Sequence, residues 1–221
     1  MSTMNHHDDI ETLTRAGRWL EAIELLSARN RENPDPAIER RLVDLRVQAF
    51  NATAWQTQDK PWPPAFNDPF QPDALQKTGG IPEISRAQLD ANAIAAGVLN
   101  HGALLVRNFV PQEKIAQLVN DIEQAVDKRD RKYAGETIDK NDSHYCPSEF
   151  LNTHYKLGVG RKFIAETGGV WAADSPRGLF DVMELYRELQ LKQLLGDYFG
   201  EAPSVSVKKW VLRRVDPIVG E

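Results

Sequence analysis

The chain has 221 residues, of which 41% are hydrophobic and 27% charged, ordinary globular usage with room for one medium domain and an appendage. Its formal net charge of -5 argues against a general nucleic-acid binder, whose footprint is a basic excess. The one cysteine, Cys146, excludes an intrachain disulfide framework. No apolar run is long enough to span a bilayer and the start MSTMNHHDDIE lacks a signal peptide's apolar core, so the expected compartment is the cytoplasm.

The first fifty residues read as helical. In LTRAGRWLEAIELLSARNRENPDP, Trp19, Ala22, Ile23 and Leu26 recur at helical spacing, and Pro34 and Pro36 close the segment. In AIERRLVDLRVQAF, Ile38, Leu42, Leu45 and Ala49 share a second helical face. Through AGRWLEAIELL and the closing NP, this pair resembles a single tetratricopeptide-type unit. Residues 1–52 are thus expected to form a helical hairpin, either docked on the main body or free to bind a partner. Residues 53–82, with DKPWPPAFNDPFQPDALQKTGGIPEI, are too rich in proline for a regular helix or a sheet interior. Trp62, Phe66 and Phe70 make an ordered strap the expectation there.

Residues 83–221 form the expected body. A helix carrying Leu89, Ile94 and Val98 stops at His101-Gly102, and the strand ALLVRNF follows. Pro111 opens an amphipathic helix with Ile115, Leu118, Val119, Ile122 and Val126 along one stripe. Residues 129–150 are polar and read as irregular. Ser175 is placed to cap a helix starting at Pro176, and KQLLGDYFG is a short helix ending at Gly200. In VSVKKWVLRRV, alternation puts Val205, Val207 and Val211 on one strand face and Lys208, Trp210, Leu212 and Arg214 on the other. Helices first and sheet last give an α+β class.

The chemistry-bearing residues are scattered. The 5 histidines supply His-x-Asp only in the tail, at His6-His7-Asp8 and His7-Asp8-Asp9, where fixed metal geometry is not expected. Asp142, His144 and Cys146 alternate in NDSHYC, as zinc donors, as parts of a Cys-His hydrolase or as a polar surface segment. The glycines and cations of GVGRK, at 158–162, give a weak anion-binding signal. In TGGVWAADSPRGLF, Trp171 either borders a ligand or belongs to the core. Asp174 and Arg177 there either face a ligand or form a capped helix start.

AAGVLNHGALLVRNFVPQEKIAQLVNDIEQAVDKR and GGVWAADSPRGLFDVMELYRELQLKQLLGDYFGEAPSVSVKKWVLRRVDP together resemble phytanoyl-CoA dioxygenase-like proteins over roughly residues 84–221. The resemblance implies a double-stranded β-helix, or jelly roll, of which this chain would hold the helical and first-strand part. It implies Fe(II) and 2-oxoglutarate as cofactors and hydroxylation of a small organic substrate. In that family an iron-binding His-x-Asp follows the strand like VKKWVLRRV; this sequence ends first, and no tight iron binding by this chain alone is expected. By position, Lys208, Trp210, Leu212 and Arg214 would line the co-substrate side, with Trp171, Asp174 and Arg177 at the substrate. Trp210 and Leu212 have a core role as their alternative. The unpaired edge of SVSVKKWVLRRV is expected to promote self-association. The rival to an oxygenase is a non-catalytic interaction module that keeps the framework without the iron site.

Overall fold

Caps and apolar spacing decide where the helices of this protein start and stop. The computed structural model describes residues 6–53, 66–71, 75, 79–148 and 160–215. In chain order come α1 (His6–Arg15), α2 (Trp19–Glu32), α3 (Pro36–Ala52), β1 (Glu83–Ser85), α4 (Ala91–His101), β2 (Leu105–Arg107) and α5 (Gln112–Tyr133). Then follow α6 (Arg161–Glu166), β3 (Gly169–Trp171), α7 (Pro176–Glu188), α8 (Leu191–Phe199) and β4 (Val211–Arg213), with 3-10 turns at Arg86–Gln88, Ala172–Asp174 and Val207–Lys209. The class is α+β, and among the described residues both sheets are two-stranded and open.

The chain divides into two units. The first holds residues 1–54, 117–183 and 205–221; the second holds residues 55–116 and 184–204. In the first unit, Asp35 caps α3 by accepting the Ala37 N–H at 2.8 Å, with Pro36 in the first turn. One core cluster joins Ile10, Ala22, Leu26, Leu42, Leu45 and Phe180. A second joins Val43 and Val47 of α3 to Ala172, Ala173, Leu179, Val207 and Leu212. Each fully buried leucine is worth about 1.5–3 kcal/mol, so α3, which supplies Leu42 and Leu45 to one cluster and Val43 and Val47 to the other, is integral to this unit.

Helix α5 buries the C-terminal half of its apolar stripe, Ile122 and Val126, and leaves the N-terminal half exposed. Ala125, Val126, Asp121 and Arg129 are buried, while Val119 is 47% exposed and Ile115 is also exposed. Polar groups are buried beside that half-stripe: the Arg129 guanidinium donates to the Gly169 carbonyl at 2.5 Å.

In the second unit, Asp90 caps α4 by accepting the Ala93 N–H at 2.7 Å, and Gly102 ends it in the left-handed region at φ 74. The expected strand ALLVRNF is shorter in the structure. It is β2 alone, parallel to β1 with Ile84 opposite Val106, and Asn108 at φ 52 turns the chain just beyond it. Of the strap aromatics, Phe70 meets the His101 ring edge-on, with centroids 5.7 Å apart. Trp62 lies outside the described residues. No described helix is long and apolar enough to cross a membrane.

Candidate functional site

The expected terminal strand is broken in two. Val207–Lys209 forms a 3-10 turn, and only Val211–Arg213 is strand. That strand, β4, runs antiparallel to β3 with Gly169 opposite Arg213, Val170 opposite Leu212 and Trp171 opposite Val211. The two glycines before Val170 are what permit the pairing. Gly168 sits at φ 73, and a Cβ there would run into the Arg214 carbonyl oxygen. A Cβ at Gly169 would meet Val211 Cγ1 at 2.7 Å and Ile164 Cγ2 at 2.9 Å.

The ladder places the residues expected at a co-substrate differently from the alternation pattern. Leu212 is buried in the core cluster, and Trp210 packs against the same cluster, its carbonyl accepting the Ala172 N–H at 2.9 Å. The aromatic and aliphatic members of that face are therefore core, the alternative left open by the sequence. Lys208 is half-buried in the 3-10 turn, and Arg214 is exposed, its backbone N–H donating to Gly168 O at 3.1 Å. These four side chains share no described pocket.

Trp171 and Asp174 do meet, in a small recess. It is lined by Arg129, Tyr133, Tyr145, Arg161, Trp171 and Asp174 among others, and its free volume of about 10 Å³ is water-sized. Asp174 is 1% exposed and bound on all sides. Arg161 Nε donates to its Oδ2 at 2.7 Å, and Arg161 Nη2 to its Oδ1 at 3.0 Å. The Ser148 N–H adds a bond to Oδ1 at 2.6 Å, and Arg161 also reaches the Ser148 carbonyl. Burial works against the Arg161 charge, but the hydrogen bonds and charge of Asp174 outweigh it and raise its pKa. Burial, the charges of Tyr133 and Asp174 and a hydrogen bond with Tyr133 raise the Tyr145 phenol far above its ordinary value. Tyr145 thus remains a neutral donor. The recess is a charge-matched, preorganised wall, large enough for a water and too small for an organic substrate.

Arg177, grouped with Trp171 and Asp174 by sequence, turns elsewhere. Its Nη2 pairs with Glu39 Oε1, and its Nη1 lies 3.9 Å from Asp181 Oδ1. Ser175 sits where a helix cap belongs, its carbonyl accepting the Leu179 N–H at 2.9 Å. Its buried hydroxyl makes no hydrogen bond, so the expected side-chain cap is not formed.

The NDSHYC segment is a turn. Asp142 Oδ1 accepts the N–H groups of His144 and Tyr145 at 2.8 and 2.9 Å, and Lys128 Nζ reaches Oδ2 at 2.5 Å. Burial opposes the Asp142 charge, but Lys128 and the two amides together hold its pKa below the ordinary value. Burial pushes the Cys146 thiol up despite the nearby Arg40, and its Sγ donates to the Lys140 carbonyl at 3.0 Å. A thiol so held is a poor nucleophile, and His144 turns to Asp121, 3.5 Å away. Of GVGRK, Gly160 precedes the six-residue α6 and Arg161 is committed to Asp174; residues 158 and 159 and His154 lie outside the described residues.

The sequence reading missed Arg129, Arg161, Glu39, Asp121 and Asp181. A signal existed for one of them: Arg177 and Asp181 are four apart on one helix. Arg161 is marked only as one of the two cations of GVGRK, and the anion it meets is the Asp174 carboxylate of the chain itself. Among the described residues no three His, Cys, Asp or Glu side chains converge as metal donors. Comparison with protein-family models, with curated proteins and with solved structures finds no match.

Proposed function

We propose that this chain carries framework of an Fe(II)/2-oxoglutarate oxygenase similar to the phytanoyl-CoA dioxygenases, acting on a small organic substrate. What supports the reading is the order of elements. A glycine-capped helix leads into a short strand and a 22-residue amphipathic helix, and a late strand, β4, pairs with β3 across the Gly168-Gly169 turn. The part these residues take in such an enzyme is to hold the framework. The Arg161–Asp174 pair and Arg129 fix β3, and β3 positions Trp171. Lys208 or Arg214 is the cation this reading assigns to a 2-oxoglutarate carboxylate.

The test is turnover by the natural protein, alongside its intact mass and the DNA read past the codon for Glu221. Iron-dependent conversion of 2-oxoglutarate to succinate, weakened by Lys208→Met or Arg214→Met through a raised KM for 2-oxoglutarate, is the expected result. A natural product near 24.9 kDa with neither turnover nor 2-oxoglutarate binding would overturn it. That outcome would favour the interaction module, for which one observation speaks. A groove of about 350 Å³ lies on the helical hairpin, lined by Trp19, Leu20, Ala49 and Thr53 among others, with Leu20 73% exposed.

A further inference from the structure

The first unit contains a second polar cluster whose charges do not balance. Glu39 of α3 is fully buried, Asp121 of α5 is 3% exposed, and the Asp181 side chain of α7 is 9% exposed. The cations and donors facing them are few. Arg177 of α7 pairs with Glu39 and lies 3.9 Å from Asp181. His144, from the turn after α5, has Nε2 3.5 Å from Asp121 Oδ1. Asn30 of α2 donates to Glu39 Oε1 at 3.2 Å, and Gln117 of α5 hydrogen-bonds Asp181. Three carboxyls thus share one guanidinium and one imidazole.

Each carboxyl also keeps one buried oxygen that meets no donor: Glu39 Oε2, Asp121 Oδ2 and Asp181 Oδ2. A buried carboxylate oxygen without a donor is strongly disfavoured, and two adjacent carboxylates cannot both ionise cheaply. Asp121 and Asp181 are close enough for the charge of one to disfavour the charge of the other. Carboxylates have only acceptors to offer one another, so a proton on one of the three is what supplies a missing donor.

We propose that the Glu39–Asp121–Asp181 cluster is a proton-dependent clamp, which holds α3, α5 and α7 together while one of its carboxyls keeps a proton and loosens when that proton leaves. The inference is independent of the oxygenase reading. Burial, with the charge of Asp121 behind it, pushes Asp181 up to about 7, against the pull of Gln117 and Arg177. Glu39 is raised as well, by burial first, with Asn30, Arg177 and His144 opposing. A carboxyl that ionises later in the folded state than in the unfolded chain binds the extra proton only when folded. Its stabilisation is complete below the ordinary value of 3.8, and it is lost as pH climbs through about 7.

The experiment is denaturant unfolding of the 221-residue protein and of Asp181→Asn at pH 5, 6, 7 and 8. Asparagine donates at every pH, so it mimics the protonated clamp. The folding constant of the wild type relative to the variant should fall roughly tenfold per pH unit from about pH 5 to 6.5, and level off above pH 7. Should the variant fail to fold, the carboxyl carbon resonances of wild-type aspartates answer the same question, one of them titrating near neutrality. The clamp is overturned if every aspartate titrates below pH 5, or if the wild-type to variant ratio is the same at all four pH values.

Discussion

Two buried polar networks in one unit follow opposite designs. Around Asp174 one carboxylate meets one guanidinium in a two-point contact, and a backbone amide takes part of the remaining capacity. Around Arg177 one guanidinium serves carboxyls from two helices, with a third carboxyl beside them and donors too few for all. The first network repays its desolvation through geometry and is expected to be indifferent to pH near neutrality. The second repays it only by keeping a proton. Burial alone therefore says little about what a charged residue contributes; the ratio of donors to acceptors around it decides.

The largest effect that sharpens this contrast is expected from Asp174→Ala. It leaves Arg161 partly buried without its counter-charge and removes the acceptor of the Ser148 amide. A loss of about 3–5 kcal/mol is expected by denaturant unfolding, and by the same amount at pH 5 and pH 8. A loss under about 1 kcal/mol would mean that water replaces the pair and that the matched design is illusory.

Arg177→Met should cost less, about 1–3 kcal/mol, and its cost should depend on pH. At pH 5 the carboxyls around it can take up protons and the loss shrinks; at pH 8 they cannot. Equal losses at both pH values would put the two networks in the same class. Smallest is the control, Arg131→Gln on the solvent side of α5. Arg131 pairs with Glu136 at 2.8 Å and with Asp127 at 3.8 Å, yet its side chain is 49% exposed. No measurable change in the unfolding midpoint is expected, and a clear loss would show that surface pairs matter here as much as buried ones.

Helix positions were legible in the sequence because their signals are local. Gly102 and Gly200 end helices in the left-handed region as such glycines do, while Asp90 caps its helix one residue after the Leu89 expected inside it. What was not legible is the burial of Asp121 and Arg129 on α5 and the length of the last strand. Both depend on partners distant in sequence. Arg129 is turned inward by a carbonyl forty residues away, and β4 extends only as far as β3 offers pairing. The candidate site was half legible. Trp171 and Asp174 do line one recess, but nothing beside Arg161 in the sequence shows that it will embrace Asp174, and Arg177 was drawn away by Glu39 from another helix. Long-range charge pairing leaves no periodic trace.

One contact of α3 bears on how this protein can change. Arg40 donates from Nη1 to the carbonyl oxygens of Cys146 and Ala173, at 2.6 and 3.2 Å. It thus reads the main chain, which every residue type presents alike. Substitutions at 146 or 173 that respect the local volume leave that grip intact, whereas a change at position 40 releases two segments at once. Over generations the burden of constancy falls on the arginine, and the residues it holds are left comparatively free to drift.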